Sequence, residues 1–192
     1  MTKDTGKDAG KAEFQVAAFY KFAPLDDIDS MQQALRQVCE DAGLLGTILL
    51  ADEGINGTIA GTSAGVDSLF RRLRQYPVLE DIHAKLSWCD RNPFYRMKVR
   101  LTKEIVTLGV KGIDPPSQAG EYIAPENCNA LISRPDVRLV DTRNDYEVNL
   151  GSFEGAENPG TKSFREFPAW VESHLGDDKE QAVAMFCTGG IR

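Results

Sequence analysis

The residues best placed to do chemistry stand together in Cys187-Thr188-Gly189-Gly190-Ile191-Arg192, directly after the apolar run from Ala182 to Phe186. A cysteine at the carboxyl end of a buried strand occupies the position where open α/β sheets hold their ligands. Gly189 and Gly190 allow backbone N–H groups to turn towards the sulfur and form an anion-binding nest, and Arg192 can add a full positive charge. Such a loop stabilises a thiolate or a persulfide, which is what a nucleophilic cysteine needs. The plainer alternative is a buried structural thiol at a strand end.

The elements that must position this loop alternate. Residues 136–141 (DVRLVD) and 182–186 (AVAMF) read as short buried strands. Residues 125–133 read as a helix, 143–150 as a helix opened by Asp141 or Thr142, and 163–176 as another that tolerates Pro168 near its first turn. Short apolar strands alternating with helices imply a parallel sheet in an α/β fold.

A different rhythm precedes this region. Residues 13–22 have strand composition, 25–43 carry Ile28, Met31, Leu35 and Val38 at helical spacing, and 46–61 read as a hairpin with Asn56-Gly57 in its turn. A helix from about residue 62 to 76 and closing strands over 84–89 and 96–109 follow. Strand, helix, hairpin, helix, strand is the order of a ferredoxin-like α+β sandwich, here with an added strand or two. The expected organisation is a disordered tail over 1–12, a ferredoxin-like domain over 13–112, a linker over 113–120 centred near Pro116, and an α/β domain over 121–192.

The 192-residue chain carries a net charge of −7, which excludes coating of nucleic acid by bulk charge. The charge is unevenly spread. From Trp88 to Gly112, six cations (Arg91, Arg96, Lys98, Arg100, Lys103 and Lys111) face two carboxylates (Asp90 and Glu104). Within RMKVRL, Arg96, Lys98 and Arg100 fall on one face of a strand and Met97, Val99 and Leu101 on the other. Three cations in a row can track phosphates, and Phe94 and Tyr95 just ahead can stack on an unpaired base. A solvated strand face is the alternative. Asp52 and Glu53 in the DEGING stretch read as structural.

The four cysteines include no CxxC pair and the two histidines lie far apart, so no metal site is expected. No flavin, haem or iron motif is legible. No apolar run approaches the ~20 residues of a membrane-spanning helix, and the polar N-terminus lacks a secretory signal, so the cytoplasm is the expected location.

Four residues separate Cys187 from Arg192, one fewer than in the cysteine phosphatases, whose wider loop cradles phosphate. The tighter loop resembles that of the rhodanese superfamily. Asp141, Arg143 and Glu147 in VDTRNDYE fit the rhodanese strand-to-helix signature, while in GSFEGAENP Ser152 stands where many rhodaneses carry histidine. Taken in order, LLADEGINGTIAG, NPFYRMKVRLTKEIVTLG, DTRNDYEVNLGSFEGAENP and FCTGGIR resemble the rhodanese-related tRNA uridine(34) hydroxylases, from Phe14 to Arg192.

The resemblance implies an N-terminal acylphosphatase-like domain before a rhodanese-like one. It implies oxygen-dependent conversion of wobble uridine to 5-hydroxyuridine, with molecular oxygen as co-substrate and the tRNA anticodon region as partner. Cys187 would be catalytic, with Thr188, Gly189, Gly190 and Arg192 shaping its loop, Asp141, Arg143 and Glu147 forming the scaffold, and Arg96, Lys98, Arg100 and Tyr95 holding RNA. In that family the loop continues into a second cysteine and a helix. The expectation is therefore a rhodanese domain incomplete at its C-terminus, a 192-residue chain that is inactive alone, and a frayed, exposed Cys187 without the dipole of the following helix. A sulfurtransferase working through a Cys187 persulfide and a non-catalytic RNA-binding module are the other readings.

Overall fold

A computed structural model describes residues 13–110, 112–113, 115–118, 120–176 and 180–192. The expected tail over 1–12 lies outside the described residues. The chain divides into two compact units, Met1–Ile105 and Val106–Arg192, a division that falls ahead of Pro116.

In the first unit, β1 (Phe14–Phe22) runs into α1 (Ile28–Asp41), then β2 (Leu45–Ala51), β3 (Gly54–Gly61), α2 (Ser63–Leu73), β4 (Ala84–Cys89) and β5 (Met97–Leu101). The sheet order is β4-β1-β3-β2-β5. Every pairing is antiparallel except β2 with β5, which is parallel. The first four strands and two helices are a ferredoxin-type sandwich, and β5 is the added strand.

Local chemistry sets the helix ends. Asp27 accepts a hydrogen bond from the Ser30 N–H to open α1, and Thr62 accepts one from the Gly65 N–H to open α2. Met31, Leu35 and Cys39 on α1 and Val66, Leu69, Phe70 and Leu73 on α2 recur at helical spacing and are buried. They meet Ala17, Phe19, Ile48, Leu50, Ile55, Ile59 and Val99 of the sheet. Each such side chain contributes about 1.5–3 kcal/mol by leaving water. Burial also pushes the Cys39 thiol up to about 12, helped by the neighbouring Glu40 charge, so this cysteine is an inert core residue.

The hairpin turn differs from its expected place. β2 and β3 are joined at Asp52 and Glu53, and Asn56-Gly57 lies inside β3, where Leu49 faces Asn56 and Ile48 faces Gly57. The physical reason is packing. A Cβ on Gly57 would lie 2.6 Å from the tip of the Phe19 ring, so glycine is needed here as a seat for that ring. The Phe19 ring in turn meets Phe70 edge-on at 5.2 Å. Asn56 donates to the Ile105 carbonyl at 2.9 Å, and Glu53 accepts from the Ile105 N–H at 2.6 Å, which gives Glu53 a structural task.

The second unit contains α3 (Pro115–Gln118), α4 (Pro125–Ile132), β6 (Val137–Asp141), α5 (Asp145–Val148), a 3-10 turn at Phe164–Glu166, α6 (Phe167–His174) and β7 (Ala182–Phe186). The segment expected as a linker thus includes a short helix. β6 and β7 pair in parallel, from Val137 opposite Ala182 to Asp141 opposite Phe186. The helix expected to open at Asp141 or Thr142 starts after Asn144, because Asp141 ends β6 and Thr142 is tied by its N–H and its hydroxyl to the Phe186 carbonyl. Among the described residues, no helix is long and apolar enough to cross a membrane.

Candidate functional site

The parallel register of β6 and β7 brings the ends of both strands side by side, and the loops that leave them carry the candidate residues. Cys187 follows β7 immediately. Its sulfur accepts a hydrogen bond from the Gly190 N–H at 2.9 Å. Gly190 adopts φ +79, a left-handed conformation in which a side chain is strained, and this curls the loop back over the sulfur. Cys187 is half-buried, in contrast to the frayed, exposed thiol expected from the sequence.

A single carboxylate closes the loop. Glu147, on α5, accepts from the Thr188 hydroxyl at 2.7 Å and from Arg192 at 2.8 Å. It also accepts from the Asn144 N–H at 3.1 Å, which anchors it to the start of its own helix. Burial opposes its ionisation, but the bonds from Arg192, Thr188 and the Asn144 N–H outweigh that and hold its carboxyl below the usual range. Arg192 therefore spends its charge on Glu147. A second arginine stands at the strand end that carries the cysteine.

That residue is Arg143. Its guanidinium lies 5.6 Å over the ring of Phe186, the residue before Cys187. It forks onto Asp141 at 2.9 and 2.7 Å and donates to the Gly151 carbonyl at 2.7 Å. Its pKa is raised chiefly by the bond to Asp141, with the charges of Asp141 and Glu147 adding to it against partial desolvation. Asp141 is 1% exposed and held below the usual carboxylate range: desolvation works against it, and Arg143 and Ser152 overcome that cost. The Ser152 hydroxyl donates to Asp141 at 2.7 Å. A small hydroxyl thus fills the donor position at the site of the motif departure. Phe153 meets Phe186 edge-on at 4.9 Å and closes the apolar side of the strand end.

Asp141, Arg143, Glu147, Cys187, Thr188, Gly190 and Arg192 thus lie on the segments that leave β6 and β7 in the second unit, in three bonded sets: Asp141 with Arg143, Glu147 with Thr188 and Arg192, and Cys187 with Gly190. The sequence did not disclose the contributions of Phe186, Phe153 and the Asn144 N–H. The signals available were an aromatic at the strand end and an asparagine before an acidic helix start.

In the first unit, Lys98 and Arg100 project from the face of β5 opposite the buried Val99, and Tyr95 just before the strand is fully exposed. The like charge of Arg96, then partial desolvation and the charge of Arg100, hold the Lys98 amine below its ordinary value. None of the three is ion-paired among the described residues.

Residues 14–105 match the family described as UPF0176 acylphosphatase like domain. That match falls within the first unit. Over 181 residues the chain is 51% identical to a protein of Bartonella bacilliformis and 50% identical to one of Teredinibacter turnerae, both named tRNA uridine(34) hydroxylase. Each match covers 94% of this chain, and the chain spans 59% and 56% of the two relatives' lengths. The similarity to these two proteins thus runs across nearly all of this chain's own residues.

Proposed function

We propose that this chain acts in tRNA modification, as part of an enzyme that hydroxylates C5 of the wobble uridine to give 5-hydroxyuridine. The observation that carries the reading is identity of about half over 94% of the chain to proteins bearing that name. One oxygen atom of O2 enters the C5–H bond, and the other leaves as water at the expense of two electrons and two protons from an external two-electron reductant. Cys187 is the essential thiol, held at the mouth of β6 and β7 by the Gly190 N–H, with Glu147 fixing the loop through Thr188 and Arg192. Asp141 and Arg143 brace the end of β6 against Phe186 of β7, and the second unit is rhodanese-like.

The partner is the anticodon region of tRNA, met in the cytoplasm. Arg96, Lys98 and Arg100 supply phosphate contacts, and Tyr95 supplies an aromatic face for a base. Nucleoside mass spectrometry of tRNA from cells deleted for the gene tests this. Loss of 5-hydroxyuridine and its derivatives, restored by the gene, is expected; their persistence contradicts the reading. The 192-residue chain alone is expected to give no turnover, and product formed by it in vitro contradicts that.

The tight Cys187 loop also favours a second reading, sulfur transfer through a persulfide. Gain of the mass of one sulfur atom at Cys187 on incubation with thiosulfate, turned over by cyanide without RNA, would support it.

A further inference from the structure

The register of the first sheet lines up one straight row of side chains across all five strands. Lys85 on β4 faces Ala18 on β1, Ala18 faces Thr58 on β3, Thr58 faces Thr47 on β2, and Thr47 pairs with Lys98 on β5. The adjacent row runs through Tyr20, Asn56, Leu49 and Arg100. Their chain neighbours Ala17, Phe19, Ile48, Ile59 and Val99 are in the core under the helices, so both rows lie on the opposite face, where the Ile105 carbonyl caps Asn56 in the second row and leaves the first row open.

The chemistry of this face is one-sided. The five strands contain no aspartate or glutamate, in a chain that has 29 of them. The first row carries a lysine at each end and only Ala18, Thr58 and Thr47 between, a shallow trough across four interstrand steps, or about 19 Å. Lys85 and Thr58 are exposed, and Tyr20 is half-buried on the adjacent row. Cations at both ends, small side chains between and an aromatic ring alongside match an unpaired RNA strand, whose phosphates need charge and whose bases need stacking surfaces. A duplex would be too thick to lie in such a trough and has no free base faces.

We propose that the open face of this sheet binds a single-stranded RNA segment running across the strands, its phosphates held by Lys85 at one edge and by Lys98 and Arg100 at the other, with a base stacked on Tyr20. Naming that segment as the anticodon loop rests on the hydroxylase reading; the site itself does not. It extends the β5 stripe to the far edge of the sheet, and makes Lys85 and Thr58 contact residues that no motif announced.

The test is fluorescence anisotropy of a labelled tRNA anticodon stem-loop titrated with the chain, alongside thermal melts of every variant. Thr58→Glu and Lys85→Glu are each expected to weaken binding about tenfold or more with unchanged melting. Arg71→Glu, on the exposed face of α2, is expected to change it less than about twofold. Unlabelled single-stranded RNA is expected to compete better than a duplex. Should Thr58→Glu disturb folding, Lys85→Glu on the sheet edge decides alone, with Lys85→Arg restoring affinity.

If Lys98→Glu weakens binding and the other two do not, the RNA stays on β5 and the proposal is overturned, while the hydroxylase reading stands. Equal competition by duplex, or no binding of the stem-loop, overturns it as well. A deletion strain that keeps its 5-hydroxyuridine removes the hydroxylase reading and leaves RNA binding on this face to be read from the same titrations.

Discussion

The two units are held together by different physics. The first buries a continuous apolar core between two helices and one sheet face, from Ala17 to Val99. In the second, the buried apolar side chains among the described residues are Leu139, Val140 and Phe167, and the order of the candidate site comes from charged groups: Asp141 with Arg143 and Glu147 with Arg192. An apolar core is indifferent to pH and tolerant of its surface. A polar network is neither, and in this molecule the network that holds the second unit is also the one that shapes the cysteine loop.

The largest effect should therefore come from the core. Leu69→Ala, which empties a fully buried site on α2, should cost about 2–5 kcal/mol in denaturant unfolding of the first unit. The Cys187 alkylation rate should not change. A large change in that rate would show that the units do not separate energetically as described.

Asp141→Asn should come next, at ~3 kcal/mol, because it leaves the Arg143 guanidinium over Phe186 without its partner charge. The same network makes the second unit acid-sensitive. Asp141 and Glu147 have folded-state values below their ordinary ones, so the stability they contribute is present in full above those ordinary values, near pH 4–5, and is lost as pH falls through the lowered ones. Circular dichroism and Cys187 reactivity followed from pH 7 down to pH 3 should show the second unit loosening before the first. Simultaneous loss of both would break the comparison.

Ser152→Ala should be the mildest, about 1 kcal/mol, through one hydroxyl donor lost to Asp141. Ser152→His would sharpen it: retained stability would show that the position asks only for a donor.

The fold was legible where periodicity is strong. The helical spacing of Met31 and Leu35 and the apolar runs expected over 136–141 and 182–186 became the elements expected, and of the strand expected over 96–109 the alternating part formed, Met97–Leu101. Local signals failed where tertiary packing overrode them. Asn56-Gly57 is a strong turn dipeptide, yet the Phe19 ring needs Gly57 inside the sheet, a demand set by a residue far away in sequence. At the site, the residue types near Cys187 could be read from motif spacing, but their partners could not. That Arg192 turns to Glu147, and that Arg143 covers Phe186, depends on the parallel register of β6 and β7. The RNA row from Lys85 to Lys98 was invisible for the same reason, since register alone joins five separate strands.

The most direct test of the central claim is complementation of the deletion strain with the gene carrying Cys187→Ser, read by nucleoside mass spectrometry of its tRNA. The account predicts that the protein accumulates normally and that 5-hydroxyuridine stays absent. Restoration of 5-hydroxyuridine by the serine form would contradict it and leave Cys187 a structural residue.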